Sequence, residues 1–315
     1  MNNFENQTGQ PTGQIGLAIT NSKLQLVEIA FKDDQFVLEN IDEVYFDEVI
    51  NFEKCKETKI TALLQSAFNE LIIRKPLNST SVSFTLPFEL FYITQTPYEN
   101  SLLHQDLITE FKWEFSILFP FANTKDFVIQ YFEVEKNNIV NFNSVIAIAI
   151  SRKYLQIINN FCSDNNLRLK FIDNLHLASD RALSLSNALA AKGLTLSVYL
   201  SNKTLSIIFL LFGKPVYFKV ITHKNASDLP ATLIDEISNN ESISLNKNAI
   251  NAAFITGEEI TKSMAETLSS LLDVEFIYFN PFENISPNPK LFENKNYSEK
   301  YNSFSSAAGI AYRIG

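Results

Sequence analysis

The sequence predicts an α/β protein of two lobes, on three observations. A unit of strand, polar turn and strand, GLAITNSKLQLVEI at residues 16–29, recurs as SVYLSNKTLSIIF at 197–209. Each copy leads into a third strand, an amphipathic helix and a further strand, so a βββαβ unit is duplicated. The chain has 315 residues and is 46% hydrophobic, long and apolar enough to fill a core in each lobe.

The elements follow in order. The opening MNNFENQTGQPTGQ has neither the basic start nor the apolar run of a signal peptide and reads as a flexible tail, 1–14. IGLAIT, KLQLVEIAF and FVLENIDEVYF are strands separated by polar turns. Leu63, Leu64, Ala67, Phe68 and Leu71 recur at helical spacing and place a helix over 57–73. LNSTSVSFTL is the next strand. The texture changes at Pro87: FELFYIT predicts a strand, then Leu103, Leu107, Phe111 and Phe115 line one face of a helix capped by Ser101 and stopped by Pro120. With the strand DFVIQYFEVE this makes a small inserted α+β subdomain over about 87–140. The strand NSVIAIAIS, a helix over 152–164, the strand LRLKFID and a helix over 176–191 complete a first lobe, 15–192. The second lobe, 193–303, holds LTLSVYL, TLSIIFLLF, KPVYFKVIT, a helix over 228–238, NAAFIT, a helix over 258–272, VEFIYF and an Asn/Pro-rich loop. A short apolar helix over 304–315 closes the chain.

Composition excludes several functions. Net charge is −9, so the chain gains nothing from counterion release, and neither nucleic-acid binding nor direct membrane insertion is expected. No apolar run is long enough to span a bilayer. Cys55 and Cys162 stand far apart, which fits a reduced cytoplasmic setting better than a disulfide framework. His104, His176 and His223 show no metal-ligand spacing. No glycine lies between Gly16 and Gly193, so a P-loop or a GxGxxG loop is excluded from more than half the chain, and neither pattern occurs elsewhere.

Seven local motifs, in order, resemble the actin-like ATPase fold, and within it the PilM-type proteins of type IV pilus and secretion assemblies. They are GLAITNSKLQLVEI with its Val27-Glu28 pair, SVSFTLPFELFYITQTP, EFKWEFSILFPF (Trp113, Glu114, Pro120, Phe121), FIDNLHLASDRAL (Asp173, Arg181, Ala182, Leu183), FITGEEI, FNPFENI and SSAAGIAYR. The likeness covers about 15–314 and implies two ribonuclease-H-like lobes, a small inserted subdomain and a closing helix that returns to the first lobe. It also suits a bacterial family of that fold with degenerate nucleotide motifs.

The resemblance also implies where ATP would bind, and there the sequence departs. The family's first phosphate hairpin reads Asp-hydrophobic-Gly where this chain has Ala18, Ile19 and Thr20, and its second where this chain has Tyr199, Leu200 and Ser201. Those aspartates position Mg²⁺; alanine offers no oxygen and a tyrosine ring takes the space. At the adenosine turn Thr256-Gly257 persists, but Glu258 and Glu259 replace glycines and would repel a triphosphate. ATP and Mg²⁺ are therefore not expected cofactors. Asn21, Ser22, Lys23 and Ser201, Asn202, Lys203 could offer turn amides and ammonium groups to an anion, yet they are also ordinary hairpin-turn residues. Glu258-Glu259 read most simply as the acidic first turn of a helix. Asp173 reads as the N-cap of the helix from His176, with His176 and Asp180 paired one turn apart on its surface.

These readings favour a non-catalytic, cytoplasmic, protein-binding scaffold or assembly factor, with a homo-oligomer open. Trp113, off the apolar face of its helix, is a candidate partner contact. One alternative is an active ATPase or kinase with shifted carboxylates, Glu28 and Asp173. Another is a small-molecule binding module using the interlobe cleft.

Overall fold

The computed structural model describes residues 13–32, 35–98, 103–185, 193–201, 204–222, 229–238, 247–258 and 260–313. Strand β1 (Gln14–Ile19) turns into β2 (Lys23–Lys32), which pairs antiparallel with β3 (Gln35–Tyr45). Helix α1 (Glu57–Arg74) crosses over and β4 (Ser81–Leu86) returns parallel to β1. After an excursion through β5 (Phe91–Pro97), α2 (His104–Leu118), β6 (Phe127–Val134) and β7 (Ser144–Ser151), helix α3 (Arg152–Asp164) brings in β8 (Arg168–Asn174) parallel to β4. Helix α4 (Leu175–Leu185) leads to the second lobe.

The second lobe repeats the plan with β9 (Leu194–Leu200), β10 (Thr204–Leu211), β11 (Lys214–Thr222), α5 (Leu229–Ser238), β12 (Ile250–Gly257), α6 (Lys262–Leu272) and β13 (Phe276–Tyr278). Among the described residues the first sheet runs β14-β3-β2-β1-β4-β8, where β14 is Ser286–Pro287, and the second runs β11-β10-β9-β12-β13. Both therefore order their strands third, second, first, fourth, fifth, and the duplication read from the two hairpins is a duplication of whole sheets. Strands β4 and β9 are buried at every position, because helices or the other lobe cover both faces.

Two boundaries differ from the sequence reading. The inserted sheet has the order β5-β7-β6, so its central strand is β7 and the insert runs on to Ser151; β7's unbroken apolar run looks like a lobe strand but is buried under α2, through Leu107, Phe111 and Phe115. The chain also rejoins the first sheet earlier than the closing helix: β14 pairs with β3, and Asn294, the cap of the short helix α7 (Lys295–Ser298), donates through Nδ2 to the Ile41 carbonyl at 3.1 Å. Ser101, the expected cap of α2, lies outside the described residues; α2 starts after Leu103 with no side-chain cap.

Helix α8 (Ser305–Ala311) ties the lobes together. Its small residues allow unusually close packing: a Cβ on Gly309 would fall 1.7 Å from the Ala178 carbonyl oxygen of α4, and one on Gly16 would fall 1.9 Å from the Ala307 carbonyl oxygen. A single apolar cluster consequently runs from Ala18 and Val27 through Ala182 and Ala308 to Tyr199 and Phe254. Among the described residues no helix is long and apolar enough to cross a membrane.

Candidate functional site

The two hairpin turns and the turn after β12 meet between the lobes. In the first turn the Thr20 amide donates to the Lys23 carbonyl at 3.0 Å. The Thr20 hydroxyl then accepts from the amides of both Ser22 and Lys23, each at 3.2 Å. The amides that would face an anion are thus satisfied within the turn. Lys23 points away from the cleft: its ammonium lies 2.9 Å from the Glu43 carboxylate, which Lys300 also approaches at 2.7 Å. Burial alone would raise the Glu43 carboxyl; the two ammonium groups outweigh it and hold it low. Asn21 donates to the Ile50 carbonyl and to Glu89, both at 3.2 Å.

The second turn closes the same way, with the Ser201 amide 2.9 Å from the Thr204 carbonyl and the Ser201 hydroxyl against Thr204 Oγ1. Asn202 and Lys203 lie outside the described residues. Ala18 and Tyr199 are both fully buried. The Tyr199 ring packs edge-on to Phe88 of the first lobe, centroids 5.5 Å apart, and against His176 at 5.8 Å. Burial, then the nearby Glu258 charge, pushes its hydroxyl pKa well above the usual value.

At the third turn Gly257 has φ +131°, and a Cβ there would fall 2.0 Å from the Leu200 carbonyl oxygen, so this glycine serves contact between β12 and β9. Thr256 is buried with its hydroxyl 2.9 Å from Ser179. Glu258 is not in the first turn of a helix as the sequence suggested. Helix α6 starts later, at Lys262 after the Thr261 cap, which takes the Met264 amide at 3.2 Å. The Glu258 amide instead donates to the Leu200 carbonyl at 2.9 Å, and its carboxylate accepts from the Ser22 hydroxyl at 3.3 Å. The first hairpin and the third turn are thereby joined across the cleft. Glu259 lies outside the described residues. Beside these turns a hollow of about 700 Å³ opens between β5 and β11, with Glu53, Glu89, Thr204 and Lys219 among its walls; Lys219 is paired with Glu236 at 2.7 Å.

A second feature was not singled out from sequence. A groove of about 490 Å³ runs between the inserted sheet and the base of α4, walled by Val128, Phe132, Ile148, Ile172 and Leu177. Its polar end holds Asp173, Asn174, Asp180, Arg181 and Arg313. Asp173 does not cap α4; it takes Arg181 at 3.3 Å and Arg313 at 3.6 Å, and burial raises its carboxyl against their opposing pull. The cap is Asn174, whose Oδ1 accepts the Leu177 amide at 2.9 Å. Among the described residues Asn174 Nδ2 and Asp180 Oδ2 make no hydrogen bond. His176 and Asp180 are buried rather than paired on a surface. His176 Nε2 lies 2.9 Å from Ser197 Oγ, Nδ1 lies 2.7 Å from Ser206 Oγ, and Ser197 donates onward to Asp180. Burial lowers the His176 pKa to about 3 and raises that of Asp180 to about 7. A Ser197 hydroxyl that gives its proton to Asp180 accepts from the histidine, so His176 is the Nε2–H tautomer. Glu28 sits elsewhere, accepting the amides of Asn78 and Ser79 at 2.7 and 3.2 Å.

Trp113 is 65% exposed on α2. Among the described residues no three His, Cys, Asp or Glu side chains converge to hold a metal.

Two sheets of one order, each opening on a β-hairpin at a shared cleft and bridged by crossing helices, define an actin-like ATPase fold. Solved structures agree on the class and add a likeness within it. The chain superposes on the structure of a PilM-PilN type IV pilus biogenesis complex with TM-score 0.69 and 17% identity, over 95% of this chain and 97% of that one. A Bacteroides thetaiotaomicron protein with actin-like ATPase fold and unknown function matches with TM-score 0.53 and 10% identity, over 96% and 97% of the two chains. Ethanolamine utilization protein EutJ from Carboxydothermus hydrogenoformans matches with TM-score 0.51 and 8% identity, over 97% and 91%. No protein-family model matches the sequence, and no curated protein does. The fold is PilM-like; at these identities the likeness speaks for the fold.

Proposed function

We propose that this chain is a non-catalytic member of the actin-like fold that works in the cytoplasm as a protein-binding scaffold or assembly factor. The observation that carries the reading is the state of the interlobe cleft, which is filled and bonded by the chain's own groups. Ala18 gives no metal ligand, the Tyr199 ring packs on Phe88, Thr20 takes the turn amides, and Ser22 bridges to Glu258. These residues do not fit Mg-ATP: a nucleotide would have to break the Ser22–Glu258 contact and place its phosphates beside a carboxylate. Shifted carboxylates gain no support, since Glu28 is spent on the Asn78–Ser79 turn and Asp173 on two arginines.

The groove is where we place a protein partner. Apolar walls with two buried unpaired polar atoms, Asn174 Nδ2 and Asp180 Oδ2, suit an extended segment that offers hydrogen-bonding groups between apolar side chains. A protein partner is also present in that neighbour, a PilM-PilN complex. Calorimetry with Mg-ATP tests the first half: no heat is expected, and micromolar binding overturns it. Ile172→Arg, which blocks the groove, tests the second; it should lose whatever protein co-purifies with the native chain, and retention would remove the groove from the proposal.

A further inference from the structure

The composition of the whole chain argues against membranes, but one face concentrates the opposite properties. Trp113 and Ile117 lie one turn apart on the last turns of α2, with Leu118 beside them, and Phe121 follows in the turn just after the helix. All four are exposed, Trp113 by 65% and Phe121 completely, at 103%. Large apolar side chains are not left in water as a row without an occupant. Phe121, the last of the four, also walls a hollow of about 460 Å³ with Asn123, Asp126, Arg152 and Lys153, and Lys125 adjoins it in sequence. Among the described residues none of Lys125, Arg152 and Lys153 forms an ion pair. Of the carboxylates, Asp126 is engaged by Asn123, Glu114 beside Trp113 is half-buried and bonded to Thr96, and Glu110 and Asp106 lie farther back along α2, away from Phe121. The first turn of α3 adds to the positive field, for it carries no acidic residue and no side-chain cap.

We propose that this tip of the inserted subdomain docks on an anionic lipid bilayer, with Phe121, Trp113, Ile117 and Leu118 in the interface and Lys125, Arg152 and Lys153 against the headgroups. The residue types decide between occupants. Trp and Phe partition to the headgroup–acyl boundary, and a cationic rim around them meets the negative surface potential of an anionic leaflet. A second copy docking through the same patch would set Lys125, Arg152 and Lys153 against their own copies, a repulsion that an anionic leaflet does not bring. The overall negative charge does not oppose docking, because repulsion from parts of the protein beyond a Debye length is screened while the rim sits at the surface.

Trp113 is the one tryptophan in the chain, so its emission reports this face alone. Vesicles of equal parts phosphatidylglycerol and phosphatidylcholine should move that emission to shorter wavelength and carry the protein down on sedimentation; phosphatidylcholine vesicles should do neither. Arg152→Gln with Lys153→Gln should weaken partitioning by roughly 25-fold, about fivefold for each cation. Phe121→Ser, at a fully exposed position, should weaken it by roughly tenfold with unchanged circular dichroism and melting. The proposal is overturned by an unmoved emission with the anionic vesicles at low salt, or by equal binding to neutral ones. It is also overturned if the emission shifts with protein concentration alone, which would assign the face to a second copy.

Discussion

Asp180→Asn is expected to uncover a pH dependence that the native chain conceals. The buried pair His176 and Asp180 departs from its unfolded pKa values in opposite directions, His176 down to about 3 and Asp180 up to about 7. The folded Asp180 carboxyl is raised, so the stability it lends is complete below its unfolded value of about 3.9 and is lost as pH rises toward 7. The folded His176 is depressed, so it costs stability as pH falls below its unfolded value of about 6.5. Between about pH 4 and 6.5 the folded pair holds one proton, on Asp180, and the unfolded pair also holds one, on His176; the net slope is zero. Removing Asp180 leaves only the histidine. The stability of Asp180→Asn relative to the native chain should then rise with pH by about 1.4 kcal/mol per unit, roughly 3 kcal/mol between about pH 4.5 and 6.5. Urea unfolding followed by circular dichroism measures it, and taking the difference from the native chain cancels the other titrating groups. His176→Gln should give the opposite slope. A flat difference for Asp180→Asn would refute the neutral buried pair, because it requires either an ionised Asp180 or a protonated His176 in the fold.

Three further outcomes follow from packing and from the cleft. Tyr199→Ala should cost about 3–5 kcal/mol by leaving a ring-sized cavity beside Phe88 and His176, and Tyr199→Phe about 1 kcal/mol or less; a Tyr199→Ala protein that melts like the native one would show that the ring is not part of the core. Gly309→Ala should cost more than about 3 kcal/mol, because a Cβ has to push α8 off the Ala178 carbonyl, whereas Gly213→Ala, with φ +79° and nothing within 4 Å, should cost only about 1–2 kcal/mol; thermal melts of the pair compare them. Lys23→Met should destabilise by about 3 kcal/mol by leaving the buried Glu43 carboxylate one ammonium short, while phosphate at millimolar concentration protects neither protein against unfolding.

The order of elements was legible because it is written in local periods. The polar turns at Thr20–Lys23 and Ser201–Lys203 interrupt apolar alternation, and Leu64, Phe68 and Leu71 mark a helical stripe, whatever lies across from them. The insert's far boundary was not legible, because β7 reads as any doubly buried strand and only its partners β5 and β6 assign it to the smaller sheet. Side-chain partners were the least legible. His176 and Asp180 at one-turn spacing look like a surface pair; that they are buried depends on Ser197 and Ser206, which arrive from β9 and β10 of the other lobe. Arg313 and Asp173 are far apart in sequence and meet only because the chain's last helix returns to α4. The motif SSAAGIAYR, through the resemblance, announced that a closing helix returns; its close seat on α4 at Ala178 was not announced.

The two hairpins support a common reading of the cleft, because they close alike. In each, the first turn residue bonds its own amide to the carbonyl three positions on, Thr20 to Lys23 and Ser201 to Thr204, and in each a hydroxyl occupies the place of the family's glycine. A glycine there would leave the following amides free to meet an oxyanion; a hydroxyl brings its own acceptor to the turn. In the first hairpin that acceptor takes two amides at once. Ala18 and Tyr199 are likewise equivalent positions, and neither offers a carboxylate. Change in a single turn would unbalance a nucleotide site that needs both lobes. Both turns lack a carboxylate and a glycine at these positions, and Ser22 bonded to Glu258 joins the first of them to the turn after β12 across the cleft. The scaffold we propose would gain from this, since lobes joined without a nucleotide hold the walls of the groove and the tip of α2 in one arrangement.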